Sequence, residues 1–400
     1  MIDIKRYFPY IPSRKNSSEF MADAQKNDPQ ICSTSVHLRE ACPQDDAQLC
    51  ALMRRNAMRG TISLAADYEP SFFRAIEVEG FAKRVIIAES NQQIVGVVLF
   101  AKRRLFLNGA PADTGYAGSL RLDRSIRGTT IMARGRELVE RWHEDGGGVP
   151  FYLFAILTDN IAAQNVLSSG RVGLPASTRI GTLHTAAIPL LPRLTPRLPA
   201  RIQIERGSAV GAAKISEFLN RVGSEKQFFP VYTADDILAD DGILRGLRLD
   251  DFYVARTGDR ILGTVACWDQ LPFRRILITE YSGYMRWLKP FISPLANALR
   301  LAPMPNPGEP LRHLYAACIA IENNSEQIFT LLLNTILHHQ HDKGNSFLLV
   351  GLMERDPLFP VLKKYVHIPS RSGIYALSLD NFDFTAALDG RTPYIELGGL

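Results

Sequence analysis

This sequence has no cysteine pattern, no long apolar run and no strong charge of one sign. Its five cysteines, Cys32, Cys42, Cys50, Cys267 and Cys318, are odd in number and scattered. They form no C-x-x-C pair and show no metal-ligand spacing, so reduced thiols are the simplest reading and no metal is expected. No apolar run reaches the roughly 18 residues that a membrane-spanning helix requires. The first residues are basic but lack an apolar segment followed by small residues, unlike a secretory signal. A cytoplasmic location follows as the default. G-x-S-x-G, H-E-x-x-H and P-loop patterns do not occur. With 46 basic and 41 acidic residues, the net charge of +5 is too mild for a nucleic-acid footprint, though it suits an anionic cofactor.

At 400 residues, 46% hydrophobic and 22% charged, the chain reads as globular and long enough for two cores. Its most informative stretch runs from Tyr116 to Trp142. Residues 116–122 are strand-like, and Arg124, Arg127 and Gly128 break the strand. From Thr130 onward Ile131, Gly135, Leu138, Val139 and Trp142 fall on one helical face. Arg136 with Glu140, and Glu137 with Arg141, stand at i,i+4 on the other. Free N–H groups at a helix start, the helix dipole and arginine forks favour a pyrophosphate lying against residues 128–131.

Leu120-Arg121-Leu122, followed four residues later by Arg127-Gly128-Thr129-Thr130-Ile131-Met132, resembles the acetyl-CoA signature of the GNAT superfamily of acyltransferases. Arg127 matches the Arg/Gln of that signature, whereas Thr130 and Met132 stand where the family prefers small residues. Asn160, Ala163 and Leu167 follow the family's Asn-x-x-Ala-x-x-x-Tyr pattern, with Leu167 in place of the tyrosine. The resemblance implies that Leu120, Arg121, Leu122, Arg127, Gly128, Thr129, Thr130, Ile131 and Asn160 bind acetyl-CoA or another acyl-CoA as co-substrate. It also implies a pantetheine arm entering between two splayed strands near Leu120 and Phe154. Candidates for the proton-transfer groups are Tyr116, Asp159, Asp113 and Glu89, with Tyr116 and Asp159 preferred.

The order of elements has the same character: a strand at 36–41, a helix from Asp45 or Asp46 to Ala57, a hairpin over 84–102 turning at Asn91 and Gln92, a strand at 104–108, and an apolar strand at 151–157. Residues 85–98 and 252–265 align without a gap, keeping Ala88 with Ala255, Ile94 with Ile261 and Gly96 with Gly263, an internal repeat. The expected fold is therefore α/β (α+β), two tandem GNAT-like domains, each a mixed, mostly antiparallel sheet flanked by helices. Their expected limits are an extension at 1–35, a first domain at 36–192, a linker at 193–200 and a second domain at 201–400. The second copy carries Glu322-Asn323-Asn324-Ser325 where the first has its arginine and glycine, so it has lost the ordinary cofactor site. An insertion at 273–310 reads as a lid over the other domain's cleft, a contact for a second copy of the chain, or a packed flap.

By this resemblance the protein is a transferase, an N-acyltransferase and in the simplest form an N-acetyltransferase, acting on a small-molecule or protein amine. Two rivals stay open. One is a GNAT-fold transferase fed by acyl carrier protein or aminoacyl-tRNA, docked through Lys102, Arg103 and Arg104 and the 273–310 insertion. The other is a non-catalytic acyl-CoA-binding module. His338, His339 and His341 lack a carboxylate or cysteine at ligand spacing and read as helix-end residues.

Overall fold

The computed structural model describes residues 36–400 except 59–61, 128–129, 143–147, 168–176, 284–285, 288, 290–304 and 380–383. Gly128 and Thr129 thus lie outside the described residues. The expected hairpin is β3 (Ala82–Ser90) and β4 (Gln93–Leu107), turning at Asn91 and Gln92, both with positive φ. Such a turn matches the twist of antiparallel strands. The strand expected at 104–108 is not separate, because β4 runs through to Leu107 and turns at Asn108-Gly109 into β5 (Ala110–Leu122). Pro111 does not end this strand, contrary to the expected break at 109–111.

The remaining strands of the first half are β1 (His37–Glu40), β2 (Ile62–Asp67), β6 (Tyr152–Leu157) and β7 (Ser177–Pro189). Its helices are α1 (Asp46–Arg55), α2 (Phe72–Ala75), α3 (Ile131–Trp142) and α4 (Ile161–Leu167). After an irregular segment come β8 (Gln203–Arg206), α5 (Gly207–Val210), α6 (Ala212–Gly223), β9 (Phe252–Thr257), β10 (Arg260–Trp268) and β11 (Arg275–Tyr281). Then follow β12 (His313–Ile321), a helix over Glu326–Gln340 capped by Ser325, β13 (Phe347–Met353) and β14 (Ile368–Leu377). The repeat is present in the pairing itself: Ala88 lies opposite Gly96, and Ala255 opposite Gly263.

Twelve strands form one sheet in the order β1-β3-β4-β5-β6-β14-β7-β13-β12-β10-β9-β8. The two halves exchange strands at its middle. β7 pairs with β13 from Met353 back to Phe347, and β14 inserts between β6 and β7. Outside the sheet, β11 pairs antiparallel with β2, so the start of the 273–310 insertion is held by the first half. Among the described residues no helix is long and apolar enough to cross a membrane.

Candidate functional site in the parted strands

β5 and β6 run parallel and touch over only two register pairs, Gly115 with Tyr152 and Tyr116 with Leu153. The contact is close: a Cβ on Gly115 would sit 2.3 Å from the Tyr152 ring. Beyond it the strands part. The far edge of β6 is occupied by β14 along its whole length, so the edge from Phe154 to Leu157 faces an opening toward β5. At the same point β5 is bulged, with Leu99 opposite Gly118 but Val97 opposite Arg121. Such a bulge takes residues out of the ladder and re-aims side chains and amides. Ser119 within it has φ +53°.

A cavity of about 460 Å³ passes through this opening and touches both faces of the sheet. On one face it lies under α3, walled by Ile86, Val98, Phe100, Ile131 and Val139. Gly135 on α3 also borders it, and a Cβ there would meet nothing within 4 Å. On the other face Tyr68, Arg121, Arg274, Arg275 and Tyr315 bring polar groups to the wall, among Ala66, Ile87, Val97, Ile276 and Leu400. The cross-strand register explains the division. Leu122 stands opposite Gly96 and packs with Ile126 under α3, while Arg121 stands opposite Val97, whose cluster includes Leu49, Met53 and Tyr68.

Behind the polar chamber is Glu79, fully buried, with Arg274 at 3.1 Å and the Ser119 hydroxyl at 3.3 Å. Its Oε2 has no partner among the described residues. Burial drives its pKa above the usual carboxylate range despite the opposing pull of Arg274 and Arg103. Arg274 also donates to the Tyr68 hydroxyl at 3.1 Å and to the Leu400 carbonyl. Arg103 donates to the Glu79 and Gly399 carbonyls and lies over the Tyr116 ring. Arg103 therefore points inward, whereas Arg104 of the Lys102 to Arg104 group is exposed. Arg104 faces Asp113 at 3.8 Å.

Of the expected site residues, Tyr116, Leu120, Arg121, Leu122, Ile131 and Asn160 border the cavity. Asn160 caps α4, its Oδ1 accepting from the Ala163 amide at 3.1 Å. Arg127 and Thr130 are exposed at the start of α3. The Arg127 guanidinium donates to the Leu122 carbonyl and to Asn56 Oδ1, and Arg55 holds neighbouring Asp123 at 2.7 Å, which fixes the turn. Tyr116 is buried, and burial beside Glu79 pushes its phenol well up, so it keeps its proton. Asp159 is exposed on the turn after β6 and does not border the cavity. Glu89 is tied to Arg39 at 2.8 Å. Sequence reasoning missed Tyr68 and Arg274, which border the cavity, and Glu79, which is linked to it through Ser119 and Arg274; only tertiary packing brings them together. The Arg136–Glu140 pair forms at 2.5 Å, whereas Arg141 reaches the Glu137 carbonyl instead of its side chain.

The corresponding strands of the second half, β12 and β13, pair from His313 with Phe347 to Ala316 with Val350. Past Ala316 the amides of β12 turn to the last residues of the chain. Cys318 N–H donates to Glu396 at 2.8 Å and Ile319 N–H to the Tyr394 hydroxyl at 3.2 Å, while Leu397 packs on Gly351 of β13. Residues 394–397 thus occupy the place where the first half keeps an opening. At the end of the helix Glu326–Gln340, His338 bonds the Arg193 carbonyl and Thr195, fastening the irregular segment.

Solved structures share this architecture. N-myristoyltransferase of Saccharomyces cerevisiae with bound myristoyl-CoA superposes with a TM-score of 0.55 at 12% identity, over 88% of this chain and 81% of that one. Another structure of that enzyme, with myristoyl-CoA and inhibitors, gives 0.57 at 10% identity over 92% and 89%. A GCN5-related N-acetyltransferase from Sphaerobacter thermophilus gives 0.53 at 13% identity over 91% and 98%. No protein-family model matches the sequence, and no curated protein matches it. At such identities the likeness is one of fold.

Proposed function

We propose that this chain, which has the tandem GNAT fold, is an N-acyltransferase that moves an acyl group from acyl-CoA to a primary amine in the β5/β6 opening. The observation that carries the reading is a cavity that runs through the sheet and joins an apolar chamber under α3 to a polar one at Tyr68 and Arg274. A thioester held in the opening is presented with its chain on one side and an amine on the other. The α3 chamber is lined by aliphatic and aromatic side chains, which suits a chain longer than acetyl, since each buried methylene contributes about 0.8 kcal/mol. Arg127 and the start of α3 serve the pyrophosphate.

Little covalent chemistry by the protein is required. The amine nitrogen attacks the thioester carbonyl, forming a C–N bond and an oxyanion that amides of the Ser119-Leu120 bulge stabilise. The amine proton passes through the Ser119 hydroxyl to Glu79, and collapse breaks the C–S bond to release the CoA thiolate. Neither Glu79 nor Asp159 borders the cavity, but Glu79, with its raised pKa, is linked to it by the bond from Ser119, which does, and so fits the base role better than the exposed Asp159. The first and second halves act as one unit, because Arg274 and Leu400 wall the polar chamber. Incubation with acyl-CoA thioesters and a panel of amines tests this, read by free thiol and by the mass of the N-acyl product. Thiol release without an amide in every case would contradict it.

A further inference from the structure

The polar chamber holds more positive charge than its own residues neutralise. Three guanidiniums, Arg103, Arg121 and Arg274, gather around the single carboxylate of Glu79. Three cations thus face one carboxylate, and Arg274 already engages it. Arg275 does not change this count, since it pairs with Asp67 at 2.8 Å, and Arg54 shares Asp67 and Glu69.

The surplus falls on Arg121. Its Nη1 donates to the neighbouring Leu120 carbonyl at 2.8 Å, and its buried Nε has no partner among the described residues. No ion pair of Arg121 occurs among the described residues, although Arg103 and Arg274 on either side of Glu79 have polar partners. The free Nε side of the fork is the one that takes a carboxylate in two parallel bonds. Burial lowers the Arg121 pKa against the opposing pull of Tyr68 and Glu79. The register opposite Val97 turns this side chain away from α3, so the CoA phosphates at the start of that helix are not its anion.

We infer that the acceptor amine carries a carboxylate, as an amino acid does, and that Arg121 binds it beside Tyr68 and Arg274. This deepens the proposed transferase reading and rests on it for the word acceptor. Arg121 is then a specificity residue for the amine and not a ligand of the cofactor.

The test compares two ligands of equal shape, N-dodecanoylglycine and N-dodecanoylglycinamide, by calorimetric titration into the full chain. The carboxylate is expected to bind at least tenfold more tightly than the carboxamide. In Arg121→Gln the two should converge, and Arg121→Lys should keep part of the difference, with thermal unfolding confirming that both variants fold. Equal affinities in the wild type, no binding of either ligand, or a preference that survives Arg121→Gln would each overturn the inference. The wild-type comparison needs no variant and no turnover. A parallel titration with dodecanoyl-CoA separates the two readings: its failure together with a clear carboxylate preference would remove the transferase reading and leave the anion site standing.

Discussion

The Arg103 guanidinium carbon lies 3.7 Å from the centroid of the Tyr116 ring. A cation there draws on the ring face, and burial beside Glu79 drives the phenol pKa far above the working range. On the proposed reading Tyr116 holds the wall of the opening and Glu79, not Tyr116, is the base. Tyr116→Phe is expected to keep kcat within a few-fold of wild type, while Glu79→Gln should lower it by about 10²–10⁴, the usual span for loss of a general base. Steady-state rates of both variants check this; a larger loss in Tyr116→Phe would reverse the assignment.

The assignment of Glu79 as base also predicts a pH profile. Glu79 is the base only when ionised, and its pKa is raised by burial, so kcat/KM should fall as pH drops through a value above the ordinary glutamate range. Glu79→Gln should abolish that acidic limb. A limb that persists in the variant belongs to another group.

Much of the fold could be read in the sequence because it is written in local pattern. The hairpin turn at Asn91-Gln92, the helix from Ile131 and the repeat of Ala88/Gly96 in Ala255/Gly263 each depend on residues close in the chain. Of the candidate site, sequence reasoning reached Tyr116, Leu120, Arg121, Leu122, Ile131 and Asn160, which border the cavity. Glu79 sits in a short helical turn with nothing to distinguish it from a solvent-facing acid, and its importance comes from Arg103, 24 residues away, and Arg274, 195 residues away. The exchange of β7 and β14 was equally hidden, since strand pairing across more than 150 residues leaves no trace in local periodicity. Arg121 was assigned by its place in a motif, whereas the bulge before it decides which face its side chain takes.

Glu396 accepts from Cys318 N–H and from the hydroxyls of Tyr394 and Tyr232, all buried. Removing the acceptor strands three donors, each costing about 1–3 kcal/mol when left unsatisfied. Glu396→Ala should lower stability by about 3 kcal/mol or more, read by urea unfolding, and should leave the β5/β6 opening able to bind ligand below the unfolding transition. A loss under 1 kcal/mol would mean that residues 394–397 do not hold β12 and β13.

Asp45 accepts from Arg39 at 2.7 Å and from the Cys42 amide, and its pKa is lowered from 3.8 to about 2, chiefly by the Arg39 bond. A depressed acid contributes stability above its unfolded pKa and loses it as pH falls through the folded one. With Arg39 partly exposed, the contribution is about 1–2 kcal/mol. Asp45→Asn should be less stable than wild type at neutral pH, and the gap should close between pH 4 and 2. A gap independent of pH would point to shape and not charge.

The central claim is that the opening in the first half receives an acyl-CoA whose chain lies under α3. Gly135 tests it most directly, because it borders the cavity with nothing within 4 Å of a Cβ. Replacing a helical glycine also raises helix propensity by up to ~1 kcal/mol, so Gly135→Phe should fold at least as well as wild type. Tetradecanoyl-CoA and acetyl-CoA titrated into both proteins should show wild type binding the long chain far more tightly, and Gly135→Phe losing that advantage while still binding acetyl-CoA. Equal affinity for both thioesters in both proteins, or no binding by the wild type, would contradict the account.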